Sequence, residues 1–219
     1  MKKILLGITI TASLFGCATE QSRPIEITKV QAASTSFQGE RSRVSIGKFE
    51  NRSTYMSGIF SDGVDRLGNQ AKSVLAAHLQ QTGRFNVLDR ENLNETAREA
   101  SFANKNQMIK GSEFVVTGSV SEFGRKVTGD QQLFGILGRA KSQIAYAKVT
   151  LNVVNVQTTE VVYSVQGAGE YSLSDREIVG FGGTSGYDAT LNGKVLDLAI
   201  KEAVNNLSQG MDSGALRLK

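Results

Sequence analysis

The sequence holds one cysteine, one histidine, one proline and no tryptophan among 219 residues. Each shortage excludes a class of chemistry. A single cysteine, Cys17, cannot close a disulfide within the chain, so no covalent staple supports the fold. With His78 as the sole histidine and Cys17 as the sole cysteine, a histidine- or cysteine-rich metal site cannot be assembled. His78 falls beside Leu75 and Leu79 on the apolar side of a helical segment and reads as a core-edge residue. The serines have no base partner at any readable spacing. After residue 17 no run has the length and apolarity of a membrane helix, so any crossing would have to use lipid or β-hairpins. Lysine and arginine total 25 against 21 acids, for a net charge of +4, and two of those charges are Lys2 and Lys3 at the very start. The remaining basic residues are scattered among acids, so nucleic acid is not an expected partner. No catalytic residue, metal or cofactor is expected, and the chain reads as a non-enzyme.

The N-terminus carries the first positive signal. Met1-Lys2-Lys3 is a basic start, and Ile4 to Phe15 is an apolar stretch of the length of a secretory signal core, too short to span as a mature helix. Leu14 stands three positions before Cys17 and Gly16 just before it. This "LFGCATE" stretch resembles the lipobox of bacterial lipoproteins. The resemblance implies cleavage before Cys17 and acyl chains on its thiol and new amino group. Ala18 follows, and there is no aspartate of the kind that retains lipoproteins at the inner membrane. The implied location is the outer membrane, lipid-anchored and facing the periplasm. Residues 1–16 are then a signal peptide, 17–42 a lipidated tether, and 43–219 one domain, long enough for a proper core.

Periodicity sketches that domain. "RVSIGKF" (43–49) alternates as a strand, and residues 50–63 read as a loop. Val64, Leu67, Ala71, Val74, Leu75 and Leu79 recur at helical spacing, and Gly83 ends the helix. "FNVLD" (85–89) is a strand, with Asp89 placed to cap a helix carrying Leu93 and Ala97. "FVVTGSV" (114–120) is a third strand. "AYAKVTLNVVNV" (145–156) alternates, "QTTE" turns, and 161–173 runs back as its partner. A final helix beginning near Asp188 carries Leu196, Ile200, Ala203, Val204 and Leu207. The fold class is α/β (α+β), a mixed sheet flanked by helices. Two motifs tempt and are set aside. "GFGGTSG" (180–186) departs from the dinucleotide pattern at Ser185 and leaves too little chain for a second strand, so it reads as a turn into the last helix. "LDREN" (88–92) reads as a helix cap with surface ion pairs.

Three stretches, "RFNVLDRENL" (84–93), "VVTGSVSEFG" (115–124) and "VTLNVVNVQTTEV" (149–161), together with the lipobox, resemble the CsgG family of curli secretion lipoproteins. The last stretch is similar to the family's V-N-V-x-T-G-E turn, with Thr159 where glycine is usual. The resemblance implies a periplasm-facing α/β domain that forms a homo-oligomeric ring. Each copy would send β-hairpins, here about 119–156 and 161–188, into an outer-membrane barrel. The ring would pass an unfolded secreted polypeptide outward. Leu133, Phe134, Ile136 and Leu137 would face the membrane at the tip of the first hairpin. Tyr55, Ile59 and Phe60 have the family's constriction spacing, with Ile59 where asparagine is usual. The alternative is a non-channel lipoprotein that binds accessory envelope lipoproteins or regulates a cell-envelope partner such as a peptidoglycan synthase.

Overall fold

The computed structural model describes residues 29–34, 37–55, 65–131, 139–177 and 190–217. After a single 3-10 turn at Gln31–Ser34 the elements run β1 (Ser42–Asn51), α1 (Arg66–Gln81), β2 (Phe85–Leu88), α2 (Leu93–Phe102), β3 (Phe114–Gln131), β4 (Arg139–Asn155), β5 (Val161–Glu177) and α3 (Thr190–Asp212). The strands form one open mixed sheet in the order β2-β1-β3-β4-β5. β1 pairs in parallel with β2 and β3, whereas β3-β4-β5 is an antiparallel meander. This is the α+β mixed sheet that periodicity predicts.

α1 and α3 pack on the sheet and on each other. α1 buries Leu67, Ala71, Leu75 and Leu79, and α3 buries Val195, Leu196, Ala199, Ile200, Ala203, Val204 and Leu207. Both stripes follow the three-and-four spacing of an amphipathic helix. On the sheet, Ala145, Ala147, Val149, Leu151 and Val153 of β4 lie under α3, each buried. A register shift between Val120 and Glu122 inserts Ser121 as an extra residue in β3. That bulge inverts the alternation, so Phe123 returns to the same covered face as Val120. α3 lies unusually close to β5. A Cβ on Gly167 or Gly169 would collide with the backbone of Val195, Ala199 and Ala203. The opposite sheet face is polar: Ser164 bonds Asn152 at 2.7 Å, and Ser121 Oγ donates to the Lys148 carbonyl at 3.2 Å.

Local signals hold closely. Gly83 has φ +67° where α1 stops, a conformation glycine takes without steric cost. Thr159 has φ +60° in the β4–β5 turn. That is the position where the family's usual residue is glycine, and the backbone angle supplies the reason. His78 is buried at the α1–α3 seam, its Nε2 2.8 Å from Asp197 Oδ1.

Three expectations need correction or limits. Asp89 does not cap α2, because Asn92 occupies that position. Asp89 instead closes a turn ahead of the helix, accepting from the Glu91 N–H at 2.8 Å and the Asn92 side-chain amide at 2.6 Å. α2 buries no residue at all. Leu93 is only half-buried and Ala97 is exposed. The first hairpin, expected over about 119–156, pairs to Gln131 and back from Arg139, longer than the 114–120 and 145–156 that alternation marks. Val64, the 180–186 glycine segment and Asp188 lie outside the described residues.

Candidate functional site

Two features of the fold stand apart from an ordinary core. The first is the upper part of the meander. β1 pairs with β3 only as far as Val120, and α3 begins beside Arg125, whose Nε donates to Asn192 Oδ1 at 2.7 Å. Past that level β3, β4 and β5 continue as a three-stranded ribbon, held by pairing from Arg125↔Ala145 to Gln131↔Arg139 and from Ala145↔Tyr171 to Arg139↔Glu177. Six further residues of β3, 126–131, extend the ribbon about 20 Å.

The second is the clamp at the ribbon's base, where the chain leaves β1 and re-enters α1. Asp65 holds both stems. Its Oδ2 accepts from the Asn51 N–H at 2.7 Å and its Oδ1 accepts from the Gly68 N–H at 2.7 Å, capping α1. Asn51 completes the knot. Its amide donates to the Tyr55 carbonyl at 2.9 Å, and its Oδ1 accepts from the Ser53 N–H and hydroxyl at 3.0 and 2.6 Å. The Tyr55 ring packs on Phe123 with centroids 4.7 Å apart at 51°. The Tyr55 hydroxyl accepts from Asn192 Nδ2 at 2.6 Å. Tyr55, Asn192 and Arg125 therefore form one chain of bonds joining the stem after β1, the start of α3 and the root of the ribbon. Hydrogen-bonded polar groups at this depth fix geometry, because leaving one unpaired would be costly.

Of the predicted site residues, Tyr55 stands half-buried in this clamp. Ile59 and Phe60, the tip residues Leu133, Phe134, Ile136 and Leu137, and Cys17 lie outside the described residues. Asn192, Arg125 and Asp65 were not singled out in the sequence. Of the three, only Asp65 had a local signal, three residues ahead of Gly68 at a helix start.

Charge near the clamp is arranged in local pairs. Lys48 and Arg52 bind Glu50 and hold its carboxyl below the usual range, Lys48 being the larger cause. At the other end of β1, Arg43 reaches Glu113 at 2.6 Å and lowers that carboxyl, helped by the Arg43 N–H. Asp89 is lowered chiefly by the Asn92 amide and then by the Glu91 N–H. Among the described residues no group of histidine, cysteine, aspartate or glutamate is placed to hold a metal ion. The arrangement can anchor a segment and orient a ribbon; it offers no acid–base pair.

The family model of the curli production assembly/transport component CsgG matches residues 25–216. The chain is 62% identical over 218 residues, 98% of each sequence, to the Neisseria meningitidis serogroup B protein named "Putative lipoprotein NMB1126/NMB1164". Neither name is that of an enzyme. Among solved structures, a PelC dodecamer from Paraburkholderia phytofirmans is 17% identical, covering 83% of this chain and 94% of that one, with a TM-score of 0.39. Lipoprotein GNA1162 from Neisseria meningitidis is 15% identical, covering 80% and 98%, with a TM-score of 0.33. With nearly its whole length matched by the family model, the chain belongs to the CsgG family of curli production assembly and transport components.

Proposed function

We propose that the chain is an outer-membrane lipoprotein, acylated at Cys17 and facing the periplasm, that assembles as a homo-oligomeric ring for export or assembly of surface polypeptides. One observation carries the reading beyond family membership. Above Val120 the described ribbon has two long edges with no partner strand, β3 on one side and β5 on the other. Free edges of that length invite pairing, and closing copies into a barrel removes them. β3 and β5 both run antiparallel to β4. Antiparallel closure therefore calls for one more strand per copy, and the second-hairpin reading assigns it to the stretch up to residue 188. α2 adds support for a neighbouring copy. A ten-residue helix is marginal alone in water, and Phe102, Met108 and Ile109 on and after it are 77%, 87% and 60% exposed. In the ring, Tyr55, Ile59 and Phe60 form the collar that an unfolded cargo passes, with Tyr55 at its root. Leu133, Phe134, Ile136 and Leu137 meet lipid.

A second reading, the envelope adaptor, is favoured by the ribbon's sequence. Arg125 and Lys126 are consecutive in β3, so charge falls on both faces at the ribbon's root. A lipid-facing strand keeps one face apolar. Imaging of detergent-extracted protein, with bilayer conductance on the same sample, separates the two. Rings that conduct are expected. Phe134→Asp with Ile136→Asp should block integration, because two carboxylates would then meet hydrocarbon. Tyr55→Ala with Phe60→Ala should raise conductance more than Ile59→Asn does. Single particles without conductance would overturn the channel and leave the adaptor.

A further inference from the structure

Among the described residues, the large apolar side chains that stay exposed, Tyr146 aside, fall into two groups. Phe102, Met108 and Ile109 lie on α2 and on the run that follows it to β3; Val156, Val161 and Val162 flank the β4–β5 turn. The first group belongs to an arm. α2 buries no residue, and every residue from 101 to 111 is exposed. The arm is nonetheless held to itself and to the domain. Gln107 Nε2 donates to Thr96 Oγ1 at 2.7 Å, folding the return run against α2. Arg90 Nη2 donates to the Lys110 carbonyl at 2.6 Å, keeping that run beside the exit of β2. Apolar side chains gathered on a protein surface mark a place where something docks.

The second group sits on a bulge. Val154 faces Val161 and Val153 faces Tyr163, so Val162 is an extra residue at the foot of β5. The bulge interrupts the ladder at a sheet edge and disfavours addition of another strand there. Two adjacent exposed valines then offer side-chain contact instead. β2 and β5 are the two edges of the sheet, about 19 Å apart over four strand spacings. Both groups lie at the end of the sheet away from the ribbon. The arm ends at Glu113, whose N–H donates to the Arg43 carbonyl at 2.9 Å and whose carbonyl accepts from the Val156 N–H at 3.1 Å. Patches on opposite edges and at one level suit a head-to-tail contact. Rotation about an axis along the strands brings the β2 edge of one copy to the β5 edge of the next at the same height.

Charge agrees with that pairing. Laid antiparallel, Met108 and Ile109 fall against Val162 and Val161, and Lys110 then falls against Glu160. Both charged side chains are exposed, and among the described residues neither is in an ion pair. Glu160 Oε2 accepts from the Thr158 hydroxyl at 3.0 Å and keeps capacity for a second donor. A rim pair of this kind selects orientation more than it adds affinity. We propose that Met108 and Ile109 of one copy dock on Val161 and Val162 at the foot of β5 in the next copy, with Lys110 facing Glu160, and that this contact sets the head-to-tail order of the assembly. The inference deepens the homo-oligomeric ring proposed above and rests on it.

The test is oxidative cross-linking of full-length protein in detergent extract, with imaging of the same sample. Ile109→Cys with Val162→Cys, treated with copper phenanthroline and run without reductant, should give a ladder of trimers and larger species. Either single variant should stop at a dimer, and wild-type protein treated in parallel reads any linkage through Cys17. Lys110→Glu added to the cysteine pair should cut the linked fraction at least fivefold, and Glu160→Lys in the same chain should restore it to within twofold. Should either cysteine disturb the fold, Met108→Cys with Val161→Cys asks the same question one residue along. Rings without a ladder overturn this contact and leave the ring. Single particles without a ladder overturn both. Preferential linkage of Ile109→Cys to Ala76→Cys, in the cleft between α1 and β2, would mean reciprocal exchange of arms and overturn the head-to-tail order. Unchanged linkage in Lys110→Glu, or no recovery with Glu160→Lys, overturns the assigned register.

Discussion

The lower and upper halves of β3, β4 and β5 share one backbone ladder and differ in everything else. Below Phe123, every second residue of β4 is buried under α3, and the opposite face is polar. Above Arg125 the pairing continues without a break to Gln131 and Glu177. There the sequence abandons the alternation and places charge at neighbouring positions. Strand pairing is a backbone property, so it carries on where the side chains stop paying for a core. Face chemistry, not pairing, decides what a strand is for. The lower half is a foundation; the upper half continues past it by backbone pairing.

The largest effect should separate the halves by stability. Leu151→Ala in the lower half should cost about 2–5 kcal/mol in urea unfolding, whereas Lys126→Ala, exposed at the ribbon's root, should stay within about 0.5 kcal/mol. Equal losses would mean that the ribbon is part of the cooperative core. A smaller effect sharpens the contrast across the two faces of one strand. Gly167→Val drives a side chain into the α3 backbone at Ala199 and Ala203 and should cost about 1–3 kcal/mol. Ala168→Val, on the open face, should be close to neutral, and thermal melts of the pair would show it. A reversed order would mean that α3 does not lie flush on β5.

The smallest effect is electrostatic and sits at the foot of β1. Glu113 has its folded pKa lowered by Arg43. A lowered carboxyl contributes stability above its unfolded value, about 4.3, and that contribution disappears as pH falls through the folded value. Unfolding midpoints should therefore decline on acidification, and Glu113→Gln should flatten a small part of that slope. The side chains are 44% and 37% exposed, so solvent screening keeps the difference slight. An identical slope in the variant would assign the acid sensitivity to other carboxylates.

Much of this architecture was legible because its signals are local. Alternation named the strands of the meander, three-and-four spacing named α1 and α3, and His78 fell where a helical stripe put it. Asp89 misled for a local reason as well. An aspartate before a helix can cap it or close a turn three residues earlier, and here Asn92 takes the cap. α2 misled differently, since Leu93 and Ala97 have core-like spacing but neither is buried.

The clamp and the Arg84–Asp212 pair were not legible, because their partners lie far apart in the chain. Tyr55 meets Asn192 across 137 positions, Arg125 meets the same asparagine across 67, and Arg84 meets Asp212 across 128. No period or spacing encodes such a meeting; it exists only after the sheet has ordered its strands and α3 has settled along β5. By itself the sequence determined which segments are strands and helices and which face of each is apolar, because those depend on neighbours within a few residues. Only the tertiary structure decided that an ordinary tyrosine anchors the ribbon's root and that Arg84 joins Ala32 to the end of α3. Burial removes water as the alternative partner and leaves each polar group to find one in the fold.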